Sequence, residues 1–114
     1  MTRPHAHARV RAEIESDDPS VLLALVGPGS ANLRAIASDA GIEIGQRGAS
    51  LLLSGEGGDV ALVERFLAQA AATVRGGQAL TTSDCTRALR MLRADPNARV
   101  RDLFDDIVLV TPSH

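Results

Sequence analysis

The residues whose types and spacing point to chemistry sit in one short run, Gly27-Pro28-Gly29-Ser30, between two apolar periodic stretches. Glycines let a phosphate approach the backbone closely, and a helix starting after Ser30 offers unpaired N–H groups and partial positive charge. The run reads as an anion site. Pro28 removes one donor that a phosphate could use, and Ser30 is placed to cap the helix that follows. Arg34 stands one turn into that helix and Arg47 at the tip of a later hairpin, so both could approach a phosphate chain threaded between them.

The other candidates carry less. Arg87, Arg90 and Arg93 recur at helical spacing and read as a solvated face. His5 and His7 alternate in a tail with no third ligand near, and no Cys/His cluster suggests a metal. Ser30, Asp39 and a histidine make a nucleophile group only on paper, since the turn that exposes such a serine is missing. Cys85 falls inside an apolar helical pattern and reads as a core residue.

Charge narrows the possibilities further. The 114 residues carry a net charge of −2 with a pI near 5.8, so no overall field draws the chain to a polyanion and any such binding must be local. All twelve basic residues are Arg, whose planar fork suits phosphate. Hydrophobic residues make up 45% of the chain, enough for one aliphatic core, and Phe66 and Phe104 are the sole aromatics. The opening residues have no apolar core for a signal peptide and no run approaches a membrane span, so a cytoplasmic protein with no membrane partner is expected.

Several elements must position the glycine run. Arg9 to Glu15 alternates apolar and charged residues, the pattern of a half-buried strand. Asp18 and Pro19 start a short apolar helix ending at Val26, and a second helix spans about Ala31 to Ala40 before Gly41. Ile42-Glu43-Ile44 and Ser50 to Ser54 read as strands joined by Gly45-Gln46-Arg47-Gly48, the latter strand apolar on both faces. After a Gly-rich turn, Gly55 to Gly58, a long helix runs from about Val60 to Arg75; Thr81 and Asp84 have capping-box spacing before another. Residues 102–110 read as a short turn and an apolar run that could be a strand.

Strand, helix, glycine turn, helix, strand, strand, helix resembles the order of a type I KH domain, whose G-x-x-G loop clamps single-stranded nucleic acid. Gly27-Pro28-Gly29-Ser30 occupies the place of that loop, with Ser30 where the family has glycine. The fold expected is α+β and KH-like, a three-stranded sheet with helices on one face and a C-terminal helical extension. Leu33 and Ile36 would form one wall of an apolar groove and Ile42 or Ile44 the other, holding bases without aromatic stacking.

A longer resemblance runs from Gly27 through Ala88. Asn32-Leu33-Arg34-Ala35-Ile36, Gly41-Ile42-Glu43-Ile44, Arg47-Gly48, Leu53-Ser54-Gly55 and Asp84 to Leu89 are similar to the N-terminal domain of PhoH-family ATPases, and Asp102 to Thr111 resembles the linker into their ATPase domain. The resemblance implies weak binding of single-stranded RNA, with a PhoH-type ATPase domain or an RNA-processing protein as partner. The alternative is a protein-interaction or oligomerisation module docking on such a core. No G-x-x-x-x-G-K-[ST] run and no Lys occur, so no catalysis is expected of this chain, with ATP and Mg relevant only if it is joined to an ATPase domain. The sequence is thus expected to be a piece of a larger ATPase or a standalone relative. The organisation expected is a flexible tail over 1–8, a KH-like domain with an additional helix over 9–95 and a linker-like extension over 96–114.

Overall fold

The structure is a computed structural model that describes residues 9–104. Strand β1 (Arg9–Glu15) follows its alternation, with Ala12 and Ile14 packed against the core and Arg9, Arg11, Glu13 and Glu15 exposed. β2 (Glu43–Arg47) and β3 (Ser50–Glu56) complete one antiparallel sheet in the order β1-β3-β2. Central β3 buries Leu51 and Leu53 under the helices, where they face Ile14 and Ala12 of β1. Leu52 lies half-buried on the other face, so β3 is apolar on both sides and more buried than β1, as its composition predicts.

The hairpin is tighter than the expected four-residue connection. Arg47 pairs with Ser50, leaving Gly48 and Ala49 as a two-residue turn, because Gly45 and Gln46 stay in the ladder opposite Leu52 and Leu51. At the other end of β3, a Cβ on Gly55 would lie 2.7 Å from Ile42 Cγ2. Glycine there lets Ile42 enter the core before β2 begins.

Helix α1 (Pro19–Val26) starts as predicted, with Pro19 in the first turn and the Asp18 carboxylate accepting from the Ser20 N–H at 2.9 Å. α2 (Ala31–Ala40) ends at Gly41 in the left-handed conformation. α3 (Gly57–Arg75) differs from expectation, since Gly57 and Gly58, read as a turn, form its first turn. Each glycine costs about 1 kcal/mol in a helix, which the burial of Val60, Val63, Phe66, Leu67 and Ala70 along the same helix offsets. α4 (Thr82–Ala94) carries the predicted capping box: Thr81 Oγ1 accepts from the Asp84 N–H at 3.1 Å and the Thr81 N–H donates to Asp84 Oδ2 at 3.0 Å.

The result is an α+β fold with KH-like order, to which α4 is added. The additional helix packs on α2 and α3 and contributes Cys85, Ala88, Leu89 and Leu92 to the core. Arg93 fastens its C-terminal turn to α2, with Nη1 3.6 Å from Asp39 Oδ2 and Nη2 donating to the Asp39 carbonyl at 3.3 Å. The chain then anchors again: Gln69 Oε1 accepts from the Val100 N–H at 2.7 Å, Gln69 Nε2 donates to the Ala98 carbonyl at 3.1 Å, and Val100 is buried. Residues 98–100 are therefore seated on α3. The tail 1–8 with its two histidines and the apolar run 107–110 lie outside the described residues.

Read through as one stretch, Pro19–Ala40 has the length and hydropathy of a membrane span. It is instead two helices of eight and ten residues separated by the glycine run, each shorter than the roughly 20 residues a bilayer requires.

Candidate nucleic-acid interface

The glycine run is built by three unusual backbone positions. Gly27 closes α1, its N–H donating to the Leu23 carbonyl at 2.9 Å, and then takes φ 79° and ψ 166°, a region open essentially to glycine alone. Pro28–Ser30 forms a single 3₁₀ turn in which the Ser30 N–H donates to the Gly27 carbonyl at 3.1 Å. Gly29 at φ 61° and Ser30 at φ 62° are both left-handed, and Ser30 is the one non-glycine residue with positive φ among those described.

Ser30 does not cap α2 as predicted: its side chain makes no hydrogen bond to the first turn. A capping serine normally has an extended backbone that points Oγ at the N2 and N3 amides, and the left-handed conformation turns it away. The consequence is chemical. The Ala31 N–H donates to the Pro28 carbonyl, and Ser30 supplies no side-chain cap to the N–H groups that follow at the positive end of the helix. Ser30 thus takes a left-handed conformation that glycine adopts more readily.

Asn32 holds this geometry, and the sequence reading gave it no role. Its side chain is 1% exposed, and Nδ2 donates to the Ala24 carbonyl in α1 and to the Leu80 carbonyl before α4, both at 3.2 Å. One amide therefore ties together α1, α2 and the segment that begins α4. A Cβ on Gly27 would meet Asn32 Cγ at 2.7 Å, so the glycine and the asparagine fit only as a pair. A polar residue at an otherwise apolar, core-facing helix position was the available signal.

The predicted site residues separate into three groups. Gly27, Pro28, Gly29 and Ser30 with exposed Arg34 form the turn and the first part of α2. Leu33 and Ile36 are in the core, 6% and 0% exposed, so neither offers an open groove wall; α4 packing on α2 covers that side. Ile42 is buried as well, whereas Ile44 is half-buried at the edge strand. Ile44 and Arg47 line a concavity of about 650 Å³ on the sheet together with Arg11, Glu13, Gly45 and Leu52. Arg9 crosses the end of this surface, 3.6 Å from Glu43 and donating to Ser54 Oγ at 3.3 Å. Arg34 and Arg47 pair with no carboxylate among the described residues, so both guanidinium groups are open to a ligand.

Leu23 was also missed as a surface residue. It is 69% exposed on α1, one turn before Gly27, and gives the turn an apolar flank. Its signal was position: Val21, Leu22, Leu25 and Val26 complete the buried stripe, which leaves Leu23 off it.

Among the described residues Ser30 and Asp39 do not come together, and the histidines lie outside them. Ser30 and Asp39 stand at opposite ends of α2, and Asp39 is engaged by Arg93. Burial, with a smaller contribution from Asp84, pushes the Cys85 thiol up to about 12, so the core assignment holds and the thiolate is inaccessible near neutrality. No group of three or more potential metal ligands occurs among the described residues.

The chain is 36% identical over 87 residues to a PhoH-like protein of Mycobacterium tuberculosis, an alignment covering 76% of this chain and 24% of the relative, and equally so to a PhoH-like protein of Mycobacterium bovis. It is 33% identical over 105 residues to a PhoH-like protein of Mycobacterium leprae, covering 91% of this chain and 30% of the relative. The chain thus spans between a quarter and a third of the length of the curated relatives it matches. No family model matches the chain, and no solved structure matches it significantly.

Proposed function

Because the chain resembles one part of PhoH-like proteins, we propose that it is a non-catalytic module that binds single-stranded RNA weakly and delivers it to an ATPase core. The observation that carries this reading is the turn at Gly27 to Ser30. Its two left-handed residues open the uncapped N-terminus of α2 to an anion, and exposed Arg34 stands one turn along. A phosphodiester fits there because the backbone supplies several donors at fixed positions and the guanidinium supplies charge. Leu23 lies one turn before Gly27 and gives the turn an apolar flank, while Ile44 and Arg47 line a separate concavity on the sheet. The module performs positioning only, and ATP and Mg belong to the core it serves.

With so few phosphates neutralised, affinity falls on the order of 10⁻⁴ to 10⁻⁶ M with a shallow salt slope. Fluorescence anisotropy of a labelled single-stranded RNA against the same sequence as duplex, over a salt series, tests this. Preference for the single strand supports the reading; equal binding of both, or none at low salt, defeats it.

A second reading has one observation in its favour. Leu23 at 69% exposure is a large apolar side chain on a helix otherwise turned inward, and such a residue also suits contact with a protein. In that reading the module docks on the ATPase core or an RNA-processing partner through α1, and Leu23→Asp abolishes docking without affecting RNA.

A further inference from the structure

Basic charge is unevenly placed along the chain. Residues 65–104 hold seven arginines and three carboxylates, whereas residues 9–64, which include the glycine turn, hold four arginines and nine carboxylates. A polyanion therefore meets its most favourable field on the helical C-terminal half. One concavity of about 360 Å³ lies there, lined by Gln69, Ala72 and Thr73 of α3 and by Arg99 and Arg101.

The two arginines lie in a turn leading into a helical stretch at 102–104, with the Asp102 N–H donating to the Arg99 carbonyl and the Phe104 N–H to the Arg101 carbonyl, both at 3.0 Å. Here the backbone between them is pinned. Val100 is fully buried, its N–H donates to Gln69 Oε1 at 2.7 Å, and Gln69 Nε2 holds the Ala98 carbonyl at 3.1 Å. Arg99 and Arg101, flanking the buried residue, are both exposed and both reach the same concavity. Neither meets a carboxylate among the described residues, and no carboxylate lines the concavity. The Thr73 hydroxyl is already engaged, donating to the Gln69 carbonyl at 3.0 Å, so the available donors are the two guanidinium forks.

We propose that this concavity is a phosphate-binding site in which Arg99 and Arg101, held by Gln69, grip one phosphate group between them. The ordering entropy that weakens most surface arginine contacts is already reduced by the anchored backbone, and paired forks match the oxygens of a phosphate. The ligand is either a phosphodiester of a nucleic acid or free phosphate. The site stands apart from the glycine turn and does not rest on it.

The test follows amide resonances of residues 69–73 and 98–102 in the isotope-labelled chain at low salt, with inorganic phosphate in one arm and a short oligouridylate in the other. Perturbation centred on 99–101 in either arm is expected, and Arg99→Gln with Arg101→Gln should weaken it roughly tenfold or more. Saturation by the oligonucleotide at lower concentration than phosphate identifies a nucleic-acid backbone as the ligand; response to phosphate alone identifies the free ion. Gly29→Asp run in parallel should leave the response unchanged, so failure of this site and failure of the glycine turn are distinguishable. Absence of any response at 99–101 in both arms, or a response that persists unaltered in the double variant, overturns the proposal.

Discussion

Asn32 lies so close to Gly27 that a Cβ on the glycine would come within 2.7 Å of the asparagine Cγ. The contact joins the two features on which the turn depends, a backbone conformation reserved for glycine and an amide that crosslinks three parts of the fold. Stability and site geometry are therefore coupled at this point.

Gly27→Ala should destabilise the fold by roughly 1–3 kcal/mol from backbone strain alone, with the clash added. Asn32→Ala should cost about 1–3 kcal/mol, because the carbonyls of Ala24 and Leu80 lose their donor. Denaturant unfolding of the two single variants and the double variant checks the coupling. The double variant should be less destabilised than the sum, since removing the amide makes room for the methyl.

Ser30→Gly has an unusual expected sign. A capping serine replaced by glycine normally loses a few tenths of a kcal/mol, but this serine makes no cap bond and sits at φ 62°. Relief of roughly 1 kcal/mol of left-handed strain outweighs the greater freedom of the unfolded chain, so the thermal midpoint should hold or rise. Ser30→Val, β-branched at positive φ, should lower it clearly.

The parts of the fold legible from sequence are those set by neighbouring residues. Asp18-Pro19, Thr81 with Asp84, and Gly41 announce helix ends through local hydrogen bonding and backbone freedom, and each is found where expected. The alternation in Arg9 to Glu15 and the unbroken Leu51-Leu52-Leu53 likewise distinguish an outer strand from the central one. What stayed hidden depends on distant residues. Leu33 and Ile36 resemble a groove wall until α4 covers them, and Gly57-Gly58 resembles a turn until a long buried face draws it into α3. Of the candidate site, the location of the turn was readable, but the left-handed Ser30 and the partnership of Gly27 with Asn32 arise from tertiary packing.

Cys85 gives a pH signature. Its folded-state pKa, about 12, lies above the unfolded value near 9.0 because burial disfavours the thiolate. Between these values the native state retains a proton that the unfolded state has released, so the contribution is full below pH 9 and declines as pH rises toward 12. Cys85→Ala, although less stable near neutrality from lost packing, should show a shallower decline over that window in denaturant titrations. Thiol reagents at pH 8 should modify the native protein only at the rate of unfolding.

Gln69→Ala removes both anchors of the segment that carries Arg99 and Arg101. Hydrogen exchange at Val100 should accelerate strongly while amides within the sheet keep their protection, because the loss is local to the C-terminal segment.

The most direct measurement of the central claim is the affinity of Gly29→Asp for single-stranded RNA, compared with the wild type at the same low salt. A Cβ at position 29 meets nothing within 4 Å, so the variant should keep its fold, with the left-handed backbone at φ 61° costing aspartate roughly 1 kcal/mol and lowering the thermal midpoint by several degrees. Its carboxylate would stand beside the start of α2, where the proposed function puts a phosphate. Affinity should fall roughly tenfold or more, and Arg34→Ala should weaken binding of all sequences alike with a flatter salt slope. Undiminished RNA binding by a folded Gly29→Asp protein would contradict the account and move the interface away from the glycine turn.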